Sequence, residues 1–169
     1  VEQAGPHVWF LILNAKEGPF ANKKVRQAAN YAINKQAIVN DVLEGTAAIA
    51  AGPTPPAFAW AYNNSLQPYP YDPAKAKSLI KEAGAEGAKL TFYVTEGGSG
   101  MLDPVAMGTA IQADLKAVGF DVEIKTFEWN SFLGEVNPGL EGKADMAEMA
   151  WMTNDPDTLP FLALRTESW

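Results

Sequence analysis

The stretch from Lys89 to Phe127 constrains the fold of this chain more than any other. Between Lys89 and Thr95 the apolar side chains Leu90, Phe92 and Val94 alternate with others, which is the period of a strand. Asp103-Pro104 then marks a helix start, with aspartate to accept a free backbone N–H and proline in the first helical position, where no N–H is needed. Met107, Ala110, Ile111, Leu115 and Val118 recur at helical spacing until Gly119, and Asp121 to Phe127 alternates again through Val122 and Ile124. Strand, helix and strand in this order form a βαβ unit with a right-handed crossover, so the two strands are predicted to be parallel neighbours or near neighbours. Alternation of the two element types predicts an α/β fold with a mostly parallel sheet flanked by helices.

The segments before this unit extend the pattern. Val8 to Leu13 is apolar, β-branched and aromatic, ends at Asn14, and reads as a strand buried on both faces. Lys23 to Tyr31 carries Val25, Ala28, Ala29 and, just beyond, Ala32 at helical spacing behind a cap at Asn22. Asn34 reads as the cap of a second helix, Lys35 to Leu43, with Ile38, Val39, Val42 and Leu43 inward and Gly45 as its stop. Residues 46–71 hold Pro53, Pro55, Pro56, Pro68 and Pro70 among Trp60, Tyr62, Tyr69 and Tyr71, so they are predicted to form a long surface loop whose aromatics pack onto the domain. Asp72-Pro73 starts a helix with Ala76, Leu79, Ile80 and Ala83 on its buried stripe, closed by Gly84.

The candidate working end is Lys143 to Asp157. Met146, Glu148 and Ala150 are predicted on one face of a strand, and Asp145, Ala147, Met149 and Trp151 on the other. The strand ends in Thr153-Asn154-Asp155-Pro156-Asp157, delivering an aromatic ring and two carboxylates to the carboxyl end, where open α/β sheets bind ligands. A solvated acidic turn beyond a core tryptophan would show the same residues.

Thirteen basic against 20 acidic residues, a formal charge of -7, argue against a nucleic-acid surface, which needs clustered Lys and Arg. With no cysteine there is no thiol catalysis and no Cys-based zinc site, while the compartment stays open. The single histidine, His7, has no evident partner and reads as incidental, and Val1 to Pro6 has neither the basic nor the apolar segment of an export signal. Glu96-Gly97-Gly98-Ser99-Gly100 lacks the Lys-Ser/Thr pair of a phosphate loop and carries an acid, so it reads as a mobile loop lining a cleft. Asp155-Pro156-Asp157 is too short for a calcium loop of the EF-hand type. No nucleophile and base stand in a recognisable arrangement, so no catalytic residue, metal ligand or cofactor is predicted.

Asn14, Pro19-Phe20, Val25-Arg26-Gln27-Ala28, Tyr31-Ala32-Ile33-Asn34-Lys35, Ile38, Gly45 and Gly52-Pro53 together form a familiar series. It continues through Tyr71-Asp72-Pro73-Ala74-Lys75-Ala76-Lys77, Glu82-Ala83-Gly84, Ile111-Gln112-Ala113-Asp114-Leu115, Val118-Gly119, Glu128-Trp129 and Trp151 with Asp155-Pro156-Asp157. The whole chain resembles the second lobe of solute-binding proteins of ABC importers in the peptide/nickel class (family 5), dipeptide binders above all. The resemblance implies one lobe, residues 1–169, of a periplasmic-binding-protein type II clamshell that captures a peptide or peptide-like solute and hands it to a membrane permease. It implies a periplasmic or extracytoplasmic location, lipid-anchored in Gram-positive organisms. It also implies that the chain is a piece of a longer protein, without its first lobe, export signal and returning segment.

The resemblance further implies that Trp151, Asn154, Asp155, Asp157, Trp129 and Gly98 meet the ligand. In dipeptide binders the third residue after the tryptophan is an aspartate that holds the ligand's amino group, and here it is Asn154. An arginine that pairs with the ligand carboxylate lies in the loop matching Glu96 to Met101, where the nearest position is Gly98. Asp155 or Asp157 could take over the cation, or the ligand could be an oligopeptide, an opine-like conjugate or a sugar stacked on Trp129 or Trp151. The alternatives are a hydrolase- or transferase-type α/β enzyme domain and a ligand-sensing or interaction module without transport.

Overall fold

A computed structural model of the chain describes residues 5–152 and 154–164. Four strands form one sheet in the order β1-β4-β2-β3: β1 (His7–Leu13), β2 (Lys89–Thr95), β3 (Asp121–Phe127) and β4 (Met146–Met152). The helices are α1 (Lys23–Ala32), the short α2 (Lys35–Ala37), α3 (Pro73–Glu82), α4 (Pro104–Ala117) and α5 (Trp129–Val136). β2 is parallel to both β3 and β4, and β1 lies antiparallel on β4 at one edge. The expected βαβ unit is therefore β2-α4-β3, with Leu90 opposite Val122 and Phe92 opposite Ile124. The expected α/β architecture with a mostly parallel sheet is the observed one.

Strand alternation divides the core in two. Leu90, Phe92 and Val94, Val122 and Met146 face α1, α3 and α4, while Tyr93, Ala147 and Met149 face α5 through Phe132 and Val136. Phe20, Phe92 and Phe132 are fully buried, each stabilising the fold by roughly 1.5–3 kcal/mol through the apolar area removed from water. The helix starts read from sequence act as drawn: Asn22, Asp72 and Asp103 accept from Lys24, Lys75 and Ala106 backbone N–H groups. Asn14 ends β1 by turning its side chain onto the next residues, accepting from the backbones of Lys16 and Glu17.

Three expectations are corrected. β1 is not buried on both faces: it sits at the sheet edge with β4 its only strand neighbour among the described residues, so all of it except Val8 is half-buried. The helix expected over Lys35 to Leu43 widens after α2 into a π-turn, Ile38–Val42, in which the Leu43 N–H bonds to the Ile38 carbonyl at 3.0 Å. That five-residue closure brings both Ile38 and Leu43 into the core and leaves Val39 and Val42 half-buried. In residues 46–71, which contain neither helix nor strand, Trp60 is 81% exposed and Tyr71 is also exposed; Tyr69 is held edge-on against Tyr31 of α1. No helix among the described residues is long and apolar enough to cross a membrane.

Candidate ligand-binding site

The loops after β2, β3 and β4 gather at one end of the sheet, the carboxyl ends of its parallel strands. Past β2 the chain enters α4 on one face, and past β3 it enters α5 on the other. Neighbouring strands whose exits diverge in this way leave a crevice between them, the usual ligand position in open α/β sheets.

Trp129 and Gly98 meet in that crevice. Glu128 caps α5 by accepting from the backbones of Asn130 and Ser131, which fixes Trp129 as the first helical residue. Its ring stacks on Phe132 with centroids 5.9 Å apart and lies so close over Gly98 that a Cβ there would overlap the indole. Gly98 has φ +110°, a backbone conformation that side chains resist in any case. Position 98 thus excludes a side chain for two physical reasons, and an aromatic ring occupies the space.

The glycine-rich loop is fastened rather than loose, against expectation. The Ser99 hydroxyl donates to the Ala150 carbonyl, the Met101 N–H to the Gly98 carbonyl at 3.0 Å, and the Glu96 N–H to the Phe127 carbonyl at 2.9 Å. Gly100 rests on His7, whose Cε1 would lie 2.5 Å from a Cβ added there. His7, read as incidental, therefore belongs to this end of the sheet. Only tertiary placement reveals it, because the register sets His7 opposite Met152.

Trp151 lies opposite Val8, half-buried, its ring edge-on to Phe10 at 5.9 Å. It shares the α5 side of the sheet with Trp129, both rings resting on the cluster of Tyr93, Phe132 and Met149. Beyond it Asn154, Asp155 and Asp157 are exposed. Asp155 accepts the Asp157 N–H at 2.8 Å, the local turn expected of an aspartate, and Leu159 anchors the far side of the loop in the interior. Thr153, at the start of this loop, lies outside the described residues.

The loops at this end of the sheet carry carboxylates. In residues 96–103, 127–132 and 154–164 there are Glu96, Asp103, Glu128, Asp155 and Asp157 and no Lys or Arg. Lys89, Lys116 and Lys143 stand at the opposite end among acids, with Lys143 paired with Glu135 at 3.4 Å and a groove of about 550 Å³ lined by Lys89, Gln112, Lys116, Asp121 and Glu123. Among the described residues no three His, Cys, Asp or Glu side chains are grouped to hold a metal ion.

Residues 1–168 match the family described as bacterial extracellular solute-binding proteins, family 5 Middle. The chain is 36% identical to the dipeptide-binding protein of Escherichia coli strain K12 over 166 residues, 96% of this chain and 30% of that protein. It is 35% identical to heme-binding protein A of Haemophilus influenzae over 165 residues, 96% of this chain and 29% of the relative. The structure of DppA of Helicobacter pylori, an ABC transporter-associated periplasmic binding protein in complex with the peptide STSA, superposes with a TM-score of 0.81 at 35% identity, covering 94% of this chain and 30% of that one. The chain thus spans about a third or less of the length of these relatives, and its fold is that of a partial lobe of a type II periplasmic binding protein. An edge-antiparallel, otherwise parallel sheet, a loop-built crevice at its carboxyl ends and a match over residues 1–168 place the chain among the bacterial extracellular solute-binding proteins of family 5.

Proposed function

We propose that this chain is one jaw of the extracytoplasmic solute-binding component of an ABC importer, closing over a peptide or peptide-like solute that is passed to the permease. Trp129 and Trp151 supply apolar walls, Asn154, Asp155 and Asp157 accept hydrogen bonds from the solute, and Gly98 offers backbone only. Residues 1–169 act as one lobe, with 46–71 as a surface loop of it. The names of the dipeptide-binding and peptide-bound relatives support the solute class.

One observation carries the orientation: the loops at this end of the sheet contribute carboxylates and rings but no Lys or Arg in the segments named above. A ligand carboxylate would meet like charge here, whereas an ammonium group would be attracted and hydrogen-bonded. The solute's cationic end therefore faces this jaw.

The test is a thermal-shift and calorimetric screen of the protein that carries this chain with di- and tripeptides and with the same peptides N-acetylated. Free-amine peptides are expected to raise the melting temperature and acetylated ones to lose most of the effect. A screen in which no peptide of either kind shifts the transition overturns the peptide reading, and equal shifts overturn the orientation.

A further inference from the structure

Among the described residues two buried side-chain atoms have no hydrogen-bond partner, Nε2 of His7 and Oε2 of Glu148. Glu148 is the more demanding case, because its side chain is fully buried in β4, on the face covered by α4. A carboxyl group there costs several kcal/mol that leucine would not, so its placement needs a physical reason.

The reason lies in how β2 and β4 part. Their ladder consists of Phe92 opposite Met146 and Tyr93 opposite Ala147 and goes no further. Beyond it two side chains join the diverging strands to each other's backbone. Oε1 of Glu148 accepts the Thr95 N–H at 3.2 Å, and Ser99 donates to Ala150. Thr95, fully buried, is the root of the glycine-rich loop: its hydroxyl donates to the Gly97 carbonyl at 2.6 Å and accepts from the Gly97 N–H at 3.3 Å. Contacts thus run without a gap from Glu148 through Thr95 and Gly97 to Gly98 beneath Trp129.

We infer that Glu148 is a positioning residue for the loop 96–101, which it fastens through Thr95 and which its ionisation releases. Burial, followed by repulsion from Asp103, pushes its carboxyl up to about 8 against the pull of the Thr95 N–H, so near neutral pH the group is mostly the neutral acid. Around it stand Leu11 from β1, Val94 and Thr95 from β2, and Gly108 from α4, all uncharged, with Asp103 at the α4 cap the charged group that bears on it. A Cβ on Gly108 would come within 3.6 Å of Oε2 and 2.8 Å of Val94, so the helix side offers an ionised carboxylate no donor and little room. Of the segments around it, the loop that begins after Thr95 is the one that is neither strand nor helix.

The inference rests on the proposed ligand-facing role of this loop, but its test needs no ligand and so stands apart from that role. Hydrogen exchange of residues 96–101 is followed by mass spectrometry from pH 6 to pH 9 in the protein that carries this chain, with rates corrected for intrinsic base catalysis. The wild-type loop is expected to lose protection by up to roughly tenfold per unit of pH until about pH 8 and to level off above it, since only below the folded value does the open loop hold fewer protons than the closed one. Glu148→Gln keeps an acceptor for Thr95 but cannot ionise, and its corrected profile should be flat. Glu148→Met lacks the acceptor and should exchange faster at every pH; if it does not fold, the wild-type and Gln comparison still decides. Matching pH profiles for wild type and Glu148→Gln, or loop amides that exchange no faster than those of β2 and α4 at any pH, would overturn the inference, the latter by showing that the loop opens only when the whole fold does.

Discussion

Asp145 and Thr91 are joined twice: the Thr91 N–H donates to Oδ2 of Asp145 at 2.8 Å, and the Asp145 N–H to the Thr91 carbonyl at 3.0 Å. The same aspartate accepts the Asn14 N–H on its own carbonyl, so it ties the end of β1 and the middle of β2 to the start of β4. Asp145→Ala leaves a strand N–H without its charged acceptor and is expected to destabilise the fold by about 1–3 kcal/mol. Urea unfolding checks this against Asp155→Ala on the exposed loop; an equal, small effect for both would show that the Thr91 bond contributes nothing.

Gly98→Ala combines an unfavourable positive φ with overlap on the Trp129 ring, a cost of roughly 1–3 kcal/mol. Because the two residues touch, the costs should not add. Trp129→Ala should be milder in the Gly98→Ala background than in wild type, and a double-mutant cycle measures the coupling. Additive values would mean that the ring does not rest on the loop.

Glu148 should leave a pH signature on stability. Its carboxyl goes from about 8 in the folded chain to an ordinary value near 4.5 when unfolded, so between those values the folded state holds the extra proton. Stability from this group is complete below about pH 4.5, falls as pH rises, and levels off above about pH 8, a loss of a few kcal/mol at most. Unfolding free energies of wild type minus Glu148→Gln, measured at pH 5, 7 and 9, should decrease along that series; a constant difference contradicts the burial of the carboxyl.

Asn154→Asp adds a charged acceptor to the loop after Trp151. If the solute's ammonium group lies there, peptides with a free amino terminus should bind more tightly by about 1–3 kcal/mol, the gain of a charge-assisted over a neutral bond. Calorimetry giving unchanged or weaker affinity would assign the cation to Asp155 or Asp157 instead.

The βαβ unit was legible because Leu90, Phe92 and Val94 keep a strict period and Asp103-Pro104 and Gly119 punctuate the helix between the strands. Trp129 over Gly98 was not, since residues so far apart in sequence meet only once α5 has crossed the sheet, and neither one's local pattern records the other. The break after Ala37 was hidden for another reason: Ile38, Val39, Val42 and Leu43 satisfy an ordinary helical stripe, and only the core decides that Ile38 and Leu43 both turn inward. Glu148 left one faint signal, a lone acid on the face it shares with Met146 in an otherwise apolar strand. Trp151 and the exposed Asn154, Asp155 and Asp157 stand where strand alternation and turn chemistry put them, because both are local properties.

The antiparallel pairing of β1 with β4 also sets an order of assembly. β2, α4 and β3 are contiguous and can form early, but β1 must find a partner that follows nearly the whole sequence, and closing so long a loop is entropically slow. Pulse-labelled refolding should therefore protect the amides of β2 and β3 before those of β1. Until β1 docks, the Met-Ala-Glu-Met-Ala-Trp-Met edge of β4 is open to the β1 segment of another copy, which makes strand exchange between copies the characteristic misfolding hazard of this topology.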